Sequence, residues 1–438
     1  MHSDKNTYFF DELKKNTEDK VKFKVNNLGN CKLLSEIILE TIDEYVNYNT
    51  IRRIYGLAPY VKTRTKTLNK LARFNGYKNF SHYIQTYSFK NRLTISDRIY
   101  KVINKTEIKE LNQLVIDIRK SSEDIVSLLS LLVRELIYNK QFNALNSIFN
   151  QKELQYETFS YHEILSLGNS IGIIFRKNNV VNQELLQNNN FLRIVFLIFV
   201  DYSSINSYYG DWTKYINETS KNKEIKLFTS AILEFKKHLN NEKVEDKFED
   251  MAFSSNLHPV LCSRLLSVKI MAKNYDNIND LLHNYSKKHE ILEKKNIDYF
   301  LEISVIALID KNITLMKYVI DYFKNYNQIF NSDYKLFYLN FYFLMCSFYY
   351  KFSEDKNLEK QYFKLFNFDE VRYSYEDIVS VFLLIYNHSN ETKVANRKRI
   401  RDEYIDLHKT LNYKKFTVNY FDNYFPIYKK RTPTAKNT

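Results

Sequence analysis

The chain has 438 residues and a formal net charge of +14, with 65 lysines and arginines against 51 aspartates and glutamates. Only six glycines and four prolines are present. These are too few for the many tight turns of a β-sandwich or barrel, so the composition predicts an all-α protein. The three cysteines lie far apart in the sequence, which excludes a disulfide framework and a cysteine-based metal site and fits a reducing, cytoplasmic compartment.

No export signal or membrane segment is expected. The first 20 residues are charged and polar, without the apolar run of a secretory signal. Two apolar runs, 191–200 and 336–350, are shorter than the about 20 residues that span a bilayer, so both are predicted to be buried helices. We therefore expect a cytoplasmic protein with no membrane partner.

The positive charge is concentrated in one short segment. Residues 45–96 contain ten lysines and arginines and no acidic residue, so most of the net charge of +14 comes from this segment. Surfaces usually mix both signs of charge, and a field of one sign indicates a polyanionic partner. Nucleic acid is the first candidate, and an acidic protein face or a membrane surface is the alternative.

The segment begins near the end of a predicted amphipathic helix. Residues 1–31 are expected to form a helical extension, and the next helix is predicted over about 32–45. Leu34, Ile38 and Ile42 recur there at helical spacing. Its apolar side predicts packing against the helices that follow, in a small domain spanning residues 32–90.

A second helix of about two turns is predicted after a polar break. The break at residues 47–49 offers an N-cap, and Gly56 ends the helix. Arg52 and Arg53 lie between the apolar positions of this helix, so both side chains are expected to point outward.

A basic loop and a third helix come next, and a fourth short helix, capped by Asn79, is expected to seal the core. The loop covers residues 57–65, and Asn75-Gly76 closes the third helix. The outward basic side chains of the loop and third helix are Lys62, Arg64, Lys66, Lys70 and Arg73.

Two stretches in this region resemble a known module. Residues 49–56 (NTIRRIYG) and 67–80 (TLNKLARFNGYKNF) are similar to a helix-turn-helix-like module at the N-termini of many Bacteroidetes proteins. They are more distantly similar to DNA-binding domains of the Cro/repressor type. The turn before the second helix departs from the repressor pattern, because Val46-Asn47-Tyr48 stands where a small residue and a glycine are usual.

The resemblance implies how such a module would contact duplex DNA. The helix of residues 50–55 would be the recognition helix, and a role in transcription regulation, with a homodimer left open, would follow. Groove contacts would come from Asn49, Thr50, Arg52 and Arg53, and phosphate contacts from Lys62, Arg64 and Lys66. Lys70 and Arg73 complete the predicted nucleic-acid-binding set.

The rest of the chain is predicted to form helices alone. Residues 91–120 are expected to be connecting helices, 121–428 a helical array, and 429–438 a disordered tail. Apolar residues at i, i+3, i+6 and i+7 follow a Lys-Gln or Lys-Asn pair at Phe142, Tyr275 and Ile313. The last two units begin 38 residues apart, about one helical hairpin, so we predict a degenerate tetratricopeptide-like α-solenoid that binds a protein or peptide partner.

The sequence offers little support for catalysis. Glycine-rich phosphate loops are absent and the histidines do not stand at ligand spacing, so no cofactor and no metal are expected. Arg401 and His408 are seven residues apart on a predicted helix over about 394–411, a spacing that resembles that of HEPN ribonucleases.

Three hypotheses follow. The first is a nucleic-acid-binding regulatory or accessory protein with a helical interaction or sensor array. The second is a non-enzymatic scaffold whose basic segment docks on an acidic protein. The third is a HEPN-like ribonuclease effector in phage defence, in which Arg401 and His408 would act on the phosphate.

Overall fold

The computed structural model describes residues 2–59, 61–105, 107–121, 124–178, 182–248, 259–273, 275–290, 298–324 and 335–425. Throughout these ranges the regular secondary structure is helical, which confirms the predicted all-α fold. The chain divides into two compact units, Met1–Glu163 and Ile164–Thr438. The predicted boundary between residues 120 and 121 therefore falls inside the first unit.

The first unit is built from eight helices within its described ranges. They are α1 (His2–Val21), α2 (Leu28–Ile42), α3 (Tyr48–Ile54), α4 (Thr65–Phe74), α5 (Phe80–Lys105), α6 (Ile108–Ser121), α7 (Ile125–Tyr138) and α8 (Phe142–Phe149). Short 3-10 turns follow at Lys152–Leu154 and Tyr156–Thr158. Helix α9 (Tyr161–Asn178) contains the boundary between the units.

The second unit continues with helices that mostly pack against their neighbours in the chain. They are α10 (Asn189–Phe191), which runs into a π-helical turn at Leu192–Phe196, then α11 (Tyr208–Thr219), α12 (Lys223–Leu239), α13 (Pro259–Ala272), α14 (Ile278–Lys288), α15 (Asp298–Ile309), α16 (Ile313–Lys324), α17 (Lys335–Phe352), α18 (Lys356–Leu365), α19 (Glu376–Asn390), α20 (Val394–Leu411) and α21 (Val418–Asp422). Short 3-10 turns lie at Leu185–Gln187, Phe368–Glu370 and Tyr373–Tyr375. The pairs α11–α12, α15–α16, α17–α18 and α19–α20 are in close contact, as in an array of helical hairpins.

Helix α1 belongs to the core of the N-terminal bundle. Phe9 and Leu13, one helical turn apart, are buried in the same apolar cluster as Leu34 of α2, Ile51 of α3 and Phe74 of α4. Residues 1–31 were predicted to form a helical extension before the small domain of residues 32–90. The two buried side chains are enough to join α1 to the bundle.

Helix α2 is displaced toward the N-terminus from its predicted range of 32–45. It begins at Leu28 because the Asn27 side chain accepts a hydrogen bond from the Asn30 amide at 2.9 Å and so caps the helix. It ends at Ile42 because Asp43 takes a left-handed φ of 53°.

The predicted ends of α3 and α4 are confirmed. Gly56 and Gly76 take φ values of 74° and 90° after these helices. The Leu57 amide donates to the Arg52 carbonyl at 2.8 Å, which closes α3 in the manner of a Schellman motif. The fourth helix was expected to be short, but α5 runs for 26 residues, because nothing from residue 80 to 105 breaks a helix.

The recurring Lys-Gln and Lys-Asn units mark hairpin turns. Lys140, Lys273 and Lys311 each follow one helix and precede the next, and their φ values are 57°, 55° and 54°. Each lysine therefore takes the left-handed position that glycine usually fills after a helix. At the turn between α17 and α18 the left-handed residue is a glutamate, Glu354, with φ 61°.

The two apolar runs fold differently. Residues 336–350 lie in α17, as predicted. The prediction for 191–200 is confirmed only in part, because residues 191–196 are helical and mostly buried, and the chain then leaves helical geometry. None of the helices in the described ranges is long and apolar enough to cross a membrane. The predicted tail, 429–438, lies outside the described residues.

Candidate nucleic-acid interface

The turn between α2 and α3 is built without glycine. Asp43 supplies the left-handed residue, and the buried Ser35 hydroxyl donates to the Val46 carbonyl at 2.5 Å. The Asn47 side chain then accepts from the Asn49 amide at 2.8 Å and caps α3. The connection is longer than the three to four residues usual for a helix-turn-helix, but it is held at both ends.

Two of the predicted nucleic-acid-binding residues hold this turn in place. Arg73 of α4 donates from Nε and Nη2 to the two carboxylate oxygens of Glu44, at 2.6 and 2.8 Å. Lys70 donates from Nζ to the Tyr45 carbonyl at 2.9 Å. The hydrogen bond from Arg73 lowers the pKa of Glu44 below its ordinary value. Glu44, at the edge of the acid-free segment, therefore offsets part of its positive charge.

Four other predicted residues project into solvent. Arg53, Lys62, Arg64 and Lys66 are exposed. In the described ranges no carboxylate forms an ion pair with any of them. Lys66 lies close enough to Glu44 to contribute to lowering its pKa, which places this lysine near the α2–α3 turn. These cations therefore carry a positive field that Glu44, which is held by Arg73, offsets only in part.

The outward side of α3 contains an ordered polar pair. Arg52 donates from Nη1 to the Asn49 side-chain oxygen at 3.2 Å, one helical turn away. Asn49, Thr50 and Arg52 are all half-buried. Both side chains of the pair keep further hydrogen-bonding groups, and these are the types that recognise base edges, Arg for guanine and Asn for adenine.

One basic residue beside α3 was missed by sequence reasoning. Lys32 of α2 is exposed, and its Nζ lies 5.7 Å from the ring centroid of Tyr48, the first residue of α3. Lys32 precedes the acid-free segment, and acidic residues separate the two along the chain. Only the packing of α2 against α3 brings it to the start of α3, so charge counting along the sequence could not find it.

We group the basic residues around α3 and the start of α4 as the basic surface of the first unit. It consists of Lys32 on α2, the Asn49–Arg52 pair and Arg53 on α3, and Lys62, Arg64 and Lys66 around the start of α4. Lys70 and Arg73 lie behind it as supports of the turn. The arrangement can bind a polyanion through exposed cations on a buried apolar scaffold.

The alternative pair on α20 has a different environment. Arg401 donates from Nε and Nη2 to the carboxylate of Asp422, at 3.2 and 3.0 Å. His408 is half-buried, burial lowers its pKa, and its Nδ1 atom has no hydrogen-bond partner among the described residues. Arg401 and His408 are not hydrogen-bonded to each other in the described part of the chain. The Arg401 guanidinium is therefore paired with Asp422 and not with His408.

The described ranges hold no cluster of three or more His, Cys, Asp or Glu side chains that could bind a metal ion. Cys31, Cys262 and Cys346 are each buried, and none of the three forms a disulfide. Burial raises the pKa of the Cys346 thiol to about 12, which removes the thiolate that nucleophilic chemistry requires.

Comparison with known proteins adds no relative. No family model, no curated protein and no solved structure matches this chain. The resemblance of residues 49–80 to a helix-turn-helix-like module, and of the later helices to tetratricopeptide-like repeats, therefore stays a prediction.

Proposed function

We propose that the first unit binds nucleic acid, duplex DNA in the first place, as part of a cytoplasmic regulatory or accessory protein. The observation that carries this proposal is the group of exposed cations, Arg53, Lys62, Arg64 and Lys66, that have no ion-pair partner among the described carboxylates. Such a surface gains affinity from a polyanion because each phosphate that it neutralises releases condensed counterions.

The basic surface supplies two kinds of contact in this proposal. Lys32, Lys62, Arg64 and Lys66 contact phosphates and fix the register of the protein on the duplex. The Asn49–Arg52 pair provides the groups that can read base edges. Because the pair is already ordered by its own hydrogen bond at 3.2 Å, less side-chain entropy is lost when it docks.

The second unit has a separate role in the proposal. Its hairpin array, α11 to α20, offers the extended surface on which helical repeat proteins bind a protein or peptide partner. The protein would then couple recruitment or sensing by the array to binding of nucleic acid by the bundle.

The test is fluorescence anisotropy of the full chain with a labelled DNA duplex and a labelled RNA strand. The variant removes four exposed cations: Arg53→Ala, Lys62→Ala, Arg64→Ala and Lys66→Ala. A matched control removes four exposed lysines from other helices and loops: Lys109→Ala, Lys120→Ala, Lys221→Ala and Lys226→Ala. We expect the first variant to lose binding and the control to retain most of it.

Other outcomes separate the alternative functions. Equal loss in both variants would indicate non-specific attraction by net charge and contradict the assignment of the basic surface. Absence of binding to either nucleic acid at low salt favours a scaffold that docks on an acidic protein. Cleavage of the RNA that disappears in His408→Ala would favour the ribonuclease.

A further inference from the structure

Helix α2 exposes an unusual amount of apolar surface. Leu28, Leu33 and Leu39 are 45%, 45% and 42% exposed, and Tyr45, in the turn after the helix, is 51% exposed. Single apolar residues are ordinary on a protein surface, whereas a group of them on one element indicates a contact with another molecule. The outer side of α2 is therefore a candidate interaction surface.

The same side of α2 is acidic. Glu36, Glu40 and Asp43 are exposed, and none of these carboxylates forms an ion pair within the described ranges. Lys32 is the only basic residue of the helix, and its ammonium group lies near the start of α3. The outer side of α2 thus carries negative charge in a chain with a net charge of +14.

Helical spacing brings the leucines and the carboxylates together. Leu33, Glu36 and Glu40 follow the i, i+3, i+7 pattern of one helix face, and Leu39 lies beside them. The buried side chains of the helix lie on the opposite side: Cys31, Leu34, Ser35 and Ile38. We call Leu33, Glu36, Leu39 and Glu40 the outward face of α2.

The charge of the outward face restricts the class of partner. The carboxylates of Glu36 and Glu40 repel a nucleic acid or an anionic membrane, because like charges that meet in a contact raise its free energy. A second copy docked through the same face would bring the carboxylates of both copies together. A basic amphipathic helix meets both requirements, since its apolar residues cover the leucines and its lysines or arginines pair with the carboxylates.

We propose that the outward face of α2 binds a basic amphipathic helix of a partner protein. Burial of Leu33 and Leu39 supplies most of the affinity, and the two carboxylates select the charge and the orientation of the partner. The basic surface of the first unit lies mainly on α3 and the start of α4. The proposal therefore goes beyond nucleic-acid binding and does not depend on it.

The test uses a fluorescent helical peptide of leucine and lysine, about 18 residues long so that the helix is populated. A leucine–glutamate peptide of the same pattern is the charge control. Anisotropy titrations of the full chain measure both affinities. We expect the leucine–lysine peptide to bind although the chain has a net charge of +14, because the outward face attracts it locally. No binding of this peptide at millimolar concentration would overturn the proposal.

Reversal of the charge tests the carboxylates. In Glu36→Lys with Glu40→Lys, we expect the affinity for the leucine–lysine peptide to fall about tenfold or more and that for the leucine–glutamate peptide to rise. Asp211→Lys with Glu218→Lys, at two exposed positions of α11, makes the same change in net charge and should leave both affinities nearly unchanged. Equal loss in the two variants would contradict the assignment to α2. Duplex DNA binding should not fall in either variant, so failure of this proposal is distinguishable from failure of nucleic-acid binding.

Removal of the leucines tests the apolar part. Leu33→Ala with Leu39→Ala keeps both carboxylates, and we expect it to weaken binding of the leucine–lysine peptide about tenfold or more. Circular dichroism and thermal unfolding identify which variants fold, and undiminished peptide binding by a folded variant of the outward face overturns the assignment. A wild-type dimer, measured by light scattering, that dissociates in this variant would assign the outward face to a second copy and overturn the basic partner.

Discussion

Arg73 on α4 donates two hydrogen bonds, at 2.6 and 2.8 Å, to the carboxylate of Glu44 in the turn between α2 and α3. The contact joins residues 29 positions apart. It fixes the turn that precedes α3, and α3 carries the residues with which we expect the bundle to contact a nucleic acid. A basic side chain that the sequence placed in the predicted nucleic-acid-binding set therefore supports the fold of the protein itself.

The first prediction concerns the stability of this contact. Arg73→Ala should lower the free energy of unfolding by about 0.5–1 kcal/mol at neutral pH, because the pair is bidentate but partly exposed to solvent. Chemical denaturation of the full chain measures the change. Lys109→Ala, which removes an exposed lysine elsewhere in the unit, serves as the control. A loss of several kcal/mol would show that the pair does more than hold the turn.

The pH dependence of the same variant follows from the sign of the pKa shift. Arg73 lowers the pKa of Glu44 below its ordinary value of 4.5. The folded state therefore binds the proton less readily than the unfolded state, and the stabilisation is present above about pH 4.5. As the pH falls through the lowered folded pKa, the difference between wild type and Arg73→Ala should vanish. A difference that persists at pH 2 would contradict the assignment to Glu44.

The second prediction separates contact residues from supporting residues. Arg52→Ala with Arg53→Ala should weaken duplex binding about tenfold or more, because it removes one base-reading group and one exposed cation. Lys70→Ala should leave the salt dependence of binding unchanged, since its ammonium group is engaged by the Tyr45 carbonyl. Anisotropy titrations at several salt concentrations measure the affinity and its salt dependence for both variants. Undiminished binding by the double variant would remove α3 from the interface.

The third prediction tests the residue that the sequence did not reveal. Lys32→Ala should reduce the slope of log K against log salt by about 0.9 for B-DNA, the effect of one lost phosphate contact. Lys15→Ala on the exposed side of α1 is the matched control and should leave the slope unchanged. If the two variants behave alike, Lys32 lies outside the interface.

The fourth prediction concerns the irregular segment after α10. A Cβ atom at Gly168 would lie 2.3 Å from the Ile194 carbonyl oxygen, and one at Gly172 would lie 2.1 Å from the Phe199 ring. Gly168→Ala should therefore destabilise the second unit by about 1–3 kcal/mol, the usual cost of overpacking. Ser166→Ala, at an exposed position of the same helix, is the control in the same denaturation experiment. An unchanged free energy of unfolding in Gly168→Ala would mean that the segment after α10 can move away from α9.

Local signals in the sequence accounted for much of the bundle. The ends of α3 and α4 were predictable because glycine readily takes the positive φ that ends a helix. Gly56 and Gly76 both take such a φ. The recurring Lys-Gln and Lys-Asn units marked hairpin turns, although the left-handed lysines themselves were not foreseen. The membership of α1 in the core was missed because it depends on only a few buried apolar side chains in a charged helix.

The candidate site was less predictable, for two physical reasons. Charge counting treats every lysine and arginine alike, so it could not tell that Arg73 and Lys70 turn back to the α2–α3 connection. Sequence proximity also hides contacts between helices, and Lys32 reaches Tyr48 only through the packing of α2 on α3.

The measurement that tests the central claim most directly is the salt dependence of duplex DNA binding by the wild-type protein. Four to five phosphate contacts from the basic surface predict a linear plot of log K against log salt with a slope of about −4. We expect duplex binding with this slope in the wild-type protein, and loss of that binding when Arg53, Lys62, Arg64 and Lys66 are replaced by alanine. No measurable binding even at about 50 mM salt would contradict nucleic-acid recognition by the bundle.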